Sequence, residues 1–248
     1  MKIEKFKKLK NGRYDIMLED GSSVNLFEDV IIKNELLIKK EVDLDTLDRL
    51  MDDNSKYESY DRALSLIDKK LRSEREIRNT LDDMGYDRNT INDTVDKLKS
   101  EKYIDDFMYA KSYVNDKVLL TNWGPYKISK ALSELIEEEY IDEAISSIDD
   151  RLWRERLKKI IKKKESSFKN KSINFAKNSL REYLFDLGYD SDMISEEIES
   201  VSFNEEDALK KEMSKAYDKL SKKYSGEELN RQIKNHLYKK GFKVSNIE

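Results

Sequence analysis

The stretch from Ser73 to Leu98 returns three more times before the chain ends, and this recurrence limits the fold more than any other feature. Within it, Ser73 and Glu76 have capping-box spacing, Ile77 and Leu81 lie one helical turn apart, and Gly85 can take the left-handed conformation that ends a helix. Asp87 is placed to cap a second helix, on which Ile91, Val95 and Leu98 form one apolar stripe. Downstream, Gly188-Tyr189 and Gly241-Phe242 match Gly85-Tyr86, and Glu139-Tyr140 fits between them without a glycine, so the anchors lie 54, 49 and 53 residues apart. Eight residues before the anchor stand Ile77, Ala131, Leu180 and Ile233, and four before it Leu81, Leu135, Leu184 and Leu237. One after it stand Tyr86, Tyr140, Tyr189 and Phe242, and six after it Ile91, Ile145, Ile194 and Ile247. With 38% apolar residues overall, one such column arises by chance at roughly 0.02, so four together mark a repeat.

A helix precedes each hairpin. In the first unit it carries Ala63, Leu64, Ile67 and Leu71, in the second Phe107, Tyr109, Ala110, Tyr113 and Val114, and in the third Trp153, Leu157, Ile160 and Ile161. Three helices per unit follow. The middle helix of the second unit starts at Trp123-Gly124-Pro125, with the only proline of the chain at a favourable first-turn position, and Ser225 with Glu228 has capping-box spacing at the middle helix of the fourth. Stacked units of this kind bury apolar faces mainly against their neighbours, which suits a chain that is 40% charged. Periodicity, 14 Tyr and 8 Phe argue against disorder.

Before the repeats, Ile3 and Phe6, then Tyr14, Ile16 and Leu18, then Val24 and Leu26 alternate as strands do, with Asn11-Gly12 and Asp20-Gly21 placed to turn between them. A longer period from Asp29 to Leu50 indicates two helices packing on the sheet, and Asp52-Asp53-Asn54-Ser55 reads as a linker. The expected fold is mainly α, with tandem three-helix repeats forming an elongated curved array behind a small N-terminal antiparallel β-sheet domain. Its expected divisions are 1–55 for the sheet domain and 56–103, 104–148, 149–202 and 203–248 for the repeats.

Several functional classes are excluded. There is no cysteine, hence no disulfide, thiolate metal site or cysteine nucleophile, and His236 has no second imidazole with which to hold zinc. No apolar run approaches the roughly 20 residues of a membrane span, and the lysine-rich start lacks the apolar segment of a signal peptide, so a cytoplasmic protein is expected. The pairs Asp105-Asp106 and Asp149-Asp150 stand where first helices begin, a position that calls for capping. Charge is unevenly spread: residues 131–150 and 190–207 each hold eight acidic side chains and no Lys or Arg, whereas 149–171 holds ten Lys/Arg against four Asp/Glu. On the helix of residues 151–164, Leu157, Ile160 and Ile161 must face inward, which leaves Arg151, Arg154, Lys158, Lys159, Lys162 and Lys163 as an outward stripe able to meet phosphates or an acidic partner.

From about Ser59 to its C terminus the chain resembles the bacterial RecX regulatory family. The matching residues are Ala63-Leu64 with Ser73-Glu74, Ile77, Leu81 and Gly85; Tyr103-Ile104-Asp105-Asp106 with Tyr109-Ala110 and Tyr113-Val114; and Gly124-Pro125 with Ile128 and Leu132. A fourth repeat and an N-terminal sheet are similar to the long Gram-positive members, although Glu139 stands where the family usually has glycine. The resemblance implies a non-enzymatic modulator, without cofactor, that binds RecA filaments on single-stranded DNA and restrains recombinase activity. It implies a monomer that contacts RecA, contacts single- or double-stranded DNA weakly, and has no membrane partner. Trp123, Tyr126, Lys127 and Lys130, together with the stripe on residues 151–163, are the candidate contacts. Two other classes remain open: a helical-repeat scaffold unrelated to recombination, and a metal-dependent hydrolase or nuclease built on the Asp105 and Asp149 pairs.

Overall fold

The computed structural model describes residues 1–10, 12–201 and 203–243. Strands β1 (Ile3–Lys8), β2 (Arg13–Leu18) and β3 (Ser23–Phe27) form an antiparallel sheet in that order, with Phe6 opposite Ile16 and Ile16 opposite Val24. Alternation places Ile16, Leu18 and Leu26 on one buried face, as period-two patterning requires. Helices α1 (Glu28–Lys33) and α2 (Leu36–Lys39) cover that face together with the first half of α3 (Leu44–Ile67), adding Val30, Ile31, Leu36 and Leu50 to one core. Gly12 and Gly21 turn the chain at positive φ as expected, while Asn11 lies outside the described residues.

The expected linker is not a linker. Residues 52–55 lie in the middle of α3, which runs unbroken for 24 residues from its Asp43 cap, whose side chain accepts from Thr46 N. Asn54 is 7% exposed, and its Oδ1 accepts the backbone N–H of Phe27 at 2.9 Å, so a polar residue in a polar run serves an amide at the end of β3. The second half of α3 packs on α4 (Glu74–Asp83) and α5 (Arg88–Ser100), where the hydroxyls of Ser59 and Thr94 share a buried hydrogen bond. One helix therefore serves both cores, and a boundary at 55/56 has no counterpart. The chain instead forms two compact units, residues 1–109 and 110–248.

After α5 come α6 (Asp106–Leu120), α7 (Pro125–Leu132), α8 (Glu138–Ser146), α9 (Asp150–Glu165), α10 (Ile173–Asp186), α11 (Ser191–Glu199), α12 (Glu206–Leu220) and α13 (Gly226–Lys239). Among the described residues this is three α-helices in each of the first three repeats and two in the fourth, whose column residue Ile247 lies outside them. Ile77, Leu81, Leu180, Leu184, Ile233 and Leu237 are all buried. Replacing Leu81, Leu184 or Leu237, each fully enclosed, by alanine is expected to cost about 2–5 kcal/mol on urea denaturation; losses below about half a kcal/mol at all three would contradict the repeat.

Repeat two needs a correction. Glu139-Tyr140 is not its turn, because both residues lie in the first turn of α8; the chain turns at 133–137, and Ile128, Leu132, Ile136 and Ile141 are the buried residues. The true register lies about one helical turn earlier than the one read from Glu139. That turn contains no residue with positive φ, whereas Gly85, Gly188 and Gly241 have φ of 88°, 85° and 82°.

Caps fix the helix starts. Ser73 and Glu76 form the reciprocal box, and Asp87 accepts from Asn89 N and Thr90 N. The expected box at Ser225 is absent, since Glu228 instead holds Gln232 and Arg231. Of the first acidic pair, Asp105 accepts from Met108 N at 2.9 Å, and Asp106 reaches back to accept Glu74 N, the first amide of α4, at 2.8 Å. Burial raises the Asp106 carboxyl above its ordinary value, aided by the Glu74 carboxylate and opposed by the amide bond. An acid raised on folding weakens the fold above its folded pKa, and that cost disappears as the pH falls below the unfolded value. Asp106→Asn, which keeps the acceptor without the charge, should therefore preserve or slightly raise Tm at neutral pH, while Asp106→Ala should lose about 1 kcal/mol. A larger loss for Asn than for Ala would overturn this account.

Within the second unit the middle helices dock head to tail. Gly124 N donates to the Leu187 carbonyl at 2.6 Å and Tyr126 N to the Gly188 carbonyl at 3.0 Å, so the N-terminus of α7 meets the turn that ends α10. The N-terminus of α10 meets the turn that ends α13 in the same way: Ser172 Oγ donates to the Lys240 carbonyl at 2.7 Å and Asn174 Nδ2 to the Gly241 carbonyl at 2.9 Å. Polar groups at one helix start thus satisfy orphan carbonyls at another helix end, with the positive end of one dipole against the negative end of the other.

Candidate functional site

Helix α9 buries Trp153, Leu157, Ile160 and Ile161 and projects its basic residues over the rest of its circumference. The expected single stripe divides into two flanks with different roles. On one flank, Arg154 pairs with Asp150 at 2.9 Å and Glu196 at 2.6 Å, and both Arg154 and Lys158 approach Glu197, at 3.8 Å and 3.6 Å. Glu197 is buried on α11, so these two cations compensate an acid that would otherwise be costly. Arg151 pairs with Glu155. Arg154 and Lys158 thus tie α9 to α11, a structural role that the sequence reading did not assign them.

The other flank is different. Lys159, Lys163 and Lys164 line a cleft of about 450 Å³ with Tyr183 of α10 and with Leu119 and Thr121 at the end of α6. Among the described residues no carboxylate lies within ion-pair distance of these lysines; Lys164 Nζ rests over the Tyr183 ring, 4.3 Å from its centre. Lys162 is exposed between the two flanks. One wall is fixed by Arg156, whose guanidinium donates to the carbonyls of Val118, Thr121 (2.8 Å) and Trp123 (3.3 Å), at and beyond the C-terminus of α6. A cation there meets carbonyls without intrahelical partners and the negative end of the helix dipole. The same guanidinium lies 5.6 Å from the centre of the Trp153 ring, which itself stands edge-on to the buried Tyr189.

The expected contacts on α7 gather around Trp123. Lys117 and Lys127 lie over its ring at 4.9 and 5.3 Å, and Lys127 Nζ also donates to the Asp186 carbonyl at 3.2 Å. Tyr126 and Lys130 are exposed. Of the ten residues expected at the site, Lys159 and Lys163 come together in the cleft, Trp123 and Lys127 pair beside it through the 121–123 segment, and Arg151, Arg154 and Lys158 belong to the opposite flank. Arg156, Lys164, Tyr183 and Leu119 were missed. Local spacing gave no hint of the division, because Glu155 lies four positions from both Arg151 and Lys159 and pairs with Arg151.

No catalytic centre emerges from the carboxylates. Asp105 and Asp106 are caps, Asp149 accepts Arg151 N at 2.8 Å, and Asp150 holds Arg154. Among the described residues no group of three or more His, Cys, Asp and Glu could hold a metal ion, and His236 sits on Glu212 between α13 and α12. No described helix is long and apolar enough to cross a membrane.

Fold and surface together define a helical-repeat protein with a lysine-lined cleft. Residues 60–98 match the family described as "RecX, first three-helix domain". Over 259 residues the chain is 30% identical to "Regulatory protein RecX" of Streptococcus agalactiae serotype III, covering all of this chain and 97% of that one. It is 27% identical over 252 residues to the protein of the same name from Halalkalibacterium halodurans, covering 97% of this chain and 94% of that one. A crystal structure titled regulatory protein RecX superposes with a TM-score of 0.69 at 26% identity, over 81% of this chain and 99% of that one. The chain belongs to the RecX family of regulatory proteins.

Proposed function

We propose that the chain is a non-enzymatic regulator that binds RecA filaments assembled on single-stranded DNA and restrains their recombinase activity. It acts as a cytoplasmic monomer without cofactor, in DNA repair and the SOS response. The observation that carries this reading is the end-to-end match to proteins named as RecX regulators. The cleft of Lys159, Lys163 and Lys164 supports it by supplying positive charge that the fold itself does not neutralise. The carboxylates that a nuclease reading would need are engaged as caps and ion pairs, which favours a binding role over hydrolysis.

The test is retention of the chain by RecA preassembled on single-stranded DNA. Retention should fall with added salt and should be weak on free RecA. Equal retention on free RecA and on filaments, or none on either, would remove the reading.

A further inference from the structure

We propose that the cleft between α9, α10 and the end of α6 is a docking site for an acidic, leucine-bearing protein segment rather than for nucleic acid. Leu119 and Leu120 are each 79% exposed, and Leu119 lines the same cleft as Lys159 and Lys163. A lysine cluster built only for phosphates gains nothing from an exposed leucine on its rim. A partner that alternates carboxylates with branched apolar side chains would use both, placing its charges on the ammonium groups and its apolar groups on Leu119 and the stem of Lys159.

Electrostatics limit the occupant further. The opposite flank of α9 carries Asp150, and α11 presents Glu196 beside it, both paired with Arg154. A nucleic-acid strand carries one negative charge per nucleotide, and a path leaving the cleft toward that flank meets cations already held by carboxylates, so the flank adds no attraction for it. A peptide can restrict its carboxylates to the residues that enter the cleft. The volume, about 450 Å³, holds a few side chains rather than a strand, and the grip of Arg156 on Thr121 and Trp123 holds the leucine rim in place before a partner arrives.

The test uses the full chain and two fluorescent probes of equal formal charge, a peptide of repeated Glu-Glu-Leu-Leu units and an oligothymidylate, read by anisotropy. The expected result is salt-sensitive binding of the peptide in preference to the oligonucleotide. Lys159→Glu with Lys163→Glu should weaken peptide binding by roughly tenfold or more, and Leu119→Ser should weaken peptide binding several-fold while leaving oligonucleotide binding unchanged. Leu119 and both lysines are exposed, so helicity by circular dichroism should be retained in each variant. The proposal is overturned if the parent chain does not bind the peptide, if Leu119→Ser leaves peptide binding intact, or if the oligonucleotide displaces the peptide. Because neither probe involves RecA, these outcomes are independent of the filament assay: failure there with success here removes only the functional reading.

Discussion

Gly188→Ala is expected to destabilise the second unit by about 3–5 kcal/mol, well beyond the cost of the same change at Gly85. Both glycines have φ near the left-handed region, at 85° and 88°, where a Cβ costs about 1–2 kcal/mol on any background. They differ in what the new methyl group would meet. At Gly85 nothing lies within 4 Å. At Gly188 the methyl would run into the backbone nitrogen of Lys127 and lie 2.5 Å from its Cβ, atoms that cannot move without lifting the start of α7 from the end of α10. Overpacking of that kind adds about 1–3 kcal/mol. Gly241 should fall between the two, because its nearest obstacle is the Ser172 hydroxyl at 2.8 Å, and a hydroxyl can rotate away at the cost of its bond to the Lys240 carbonyl. Urea denaturation of the three variants should rank Gly85 least affected, Gly241 next and Gly188 most. Equal losses at all three would mean that only strain is at work and that the helix junctions contribute little.

The sequence displayed these junctions only indirectly. A glycine before an aromatic residue predicts a helix end, and Gly85, Gly188 and Gly241 all end helices, but the need for a missing Cβ at Gly188 arises from α7, some 60 residues away in the chain. The four-column repeat was legible because Leu81, Leu184 and Leu237 occupy the same buried position in three units. Repeat two slipped in the alignment for a physical reason: a shift of three or four residues keeps the helical period, so Leu135 and Tyr140 stand in for Leu132 and Ile136. The absence of a glycine at 139 was the warning, and the turn there is made at 133–137 instead.

The false linker has a similar cause. Asp52, Asp53, Asn54 and Ser55 are polar enough to suggest a loop, but polarity in a helix shared between two cores marks its exposed face, and the amide of Asn54 has a partner in Phe27 that the local sequence does not reveal. Charge was the least legible part. The run from Arg151 to Lys164 is visible, but which of its members are neutralised depends on Glu196 and Glu197, more than 30 residues downstream, and on the packing of α11 against α9. Only after those pairs are assigned do Lys159, Lys163 and Lys164 stand apart.

Reversing these three lysines to glutamate should therefore weaken binding to filaments of RecA on single-stranded DNA by tenfold or more, which corresponds to about 1.4 kcal/mol. The slope of affinity against salt should flatten at the same time, because fewer charges are neutralised on binding. Stability should change little, since none of the three holds a carboxylate and Lys164 contributes only its contact with the Tyr183 ring. Reversing Arg154 and Lys158 gives the opposite pattern. Those changes would place new acids beside Glu196 and the buried Glu197, lowering Tm, and any loss of filament binding would follow the loss of structure. A third variant, with Lys7, Lys8 and Lys10 reversed on and beside β1, changes the net charge by the same amount as the cleft variant and controls for long-range attraction. If the cleft variant and the β1 variant bind filaments as tightly as the parent, the filament contact lies elsewhere, and the surface around Trp123, Tyr126, Lys127 and Lys130 becomes the next to test.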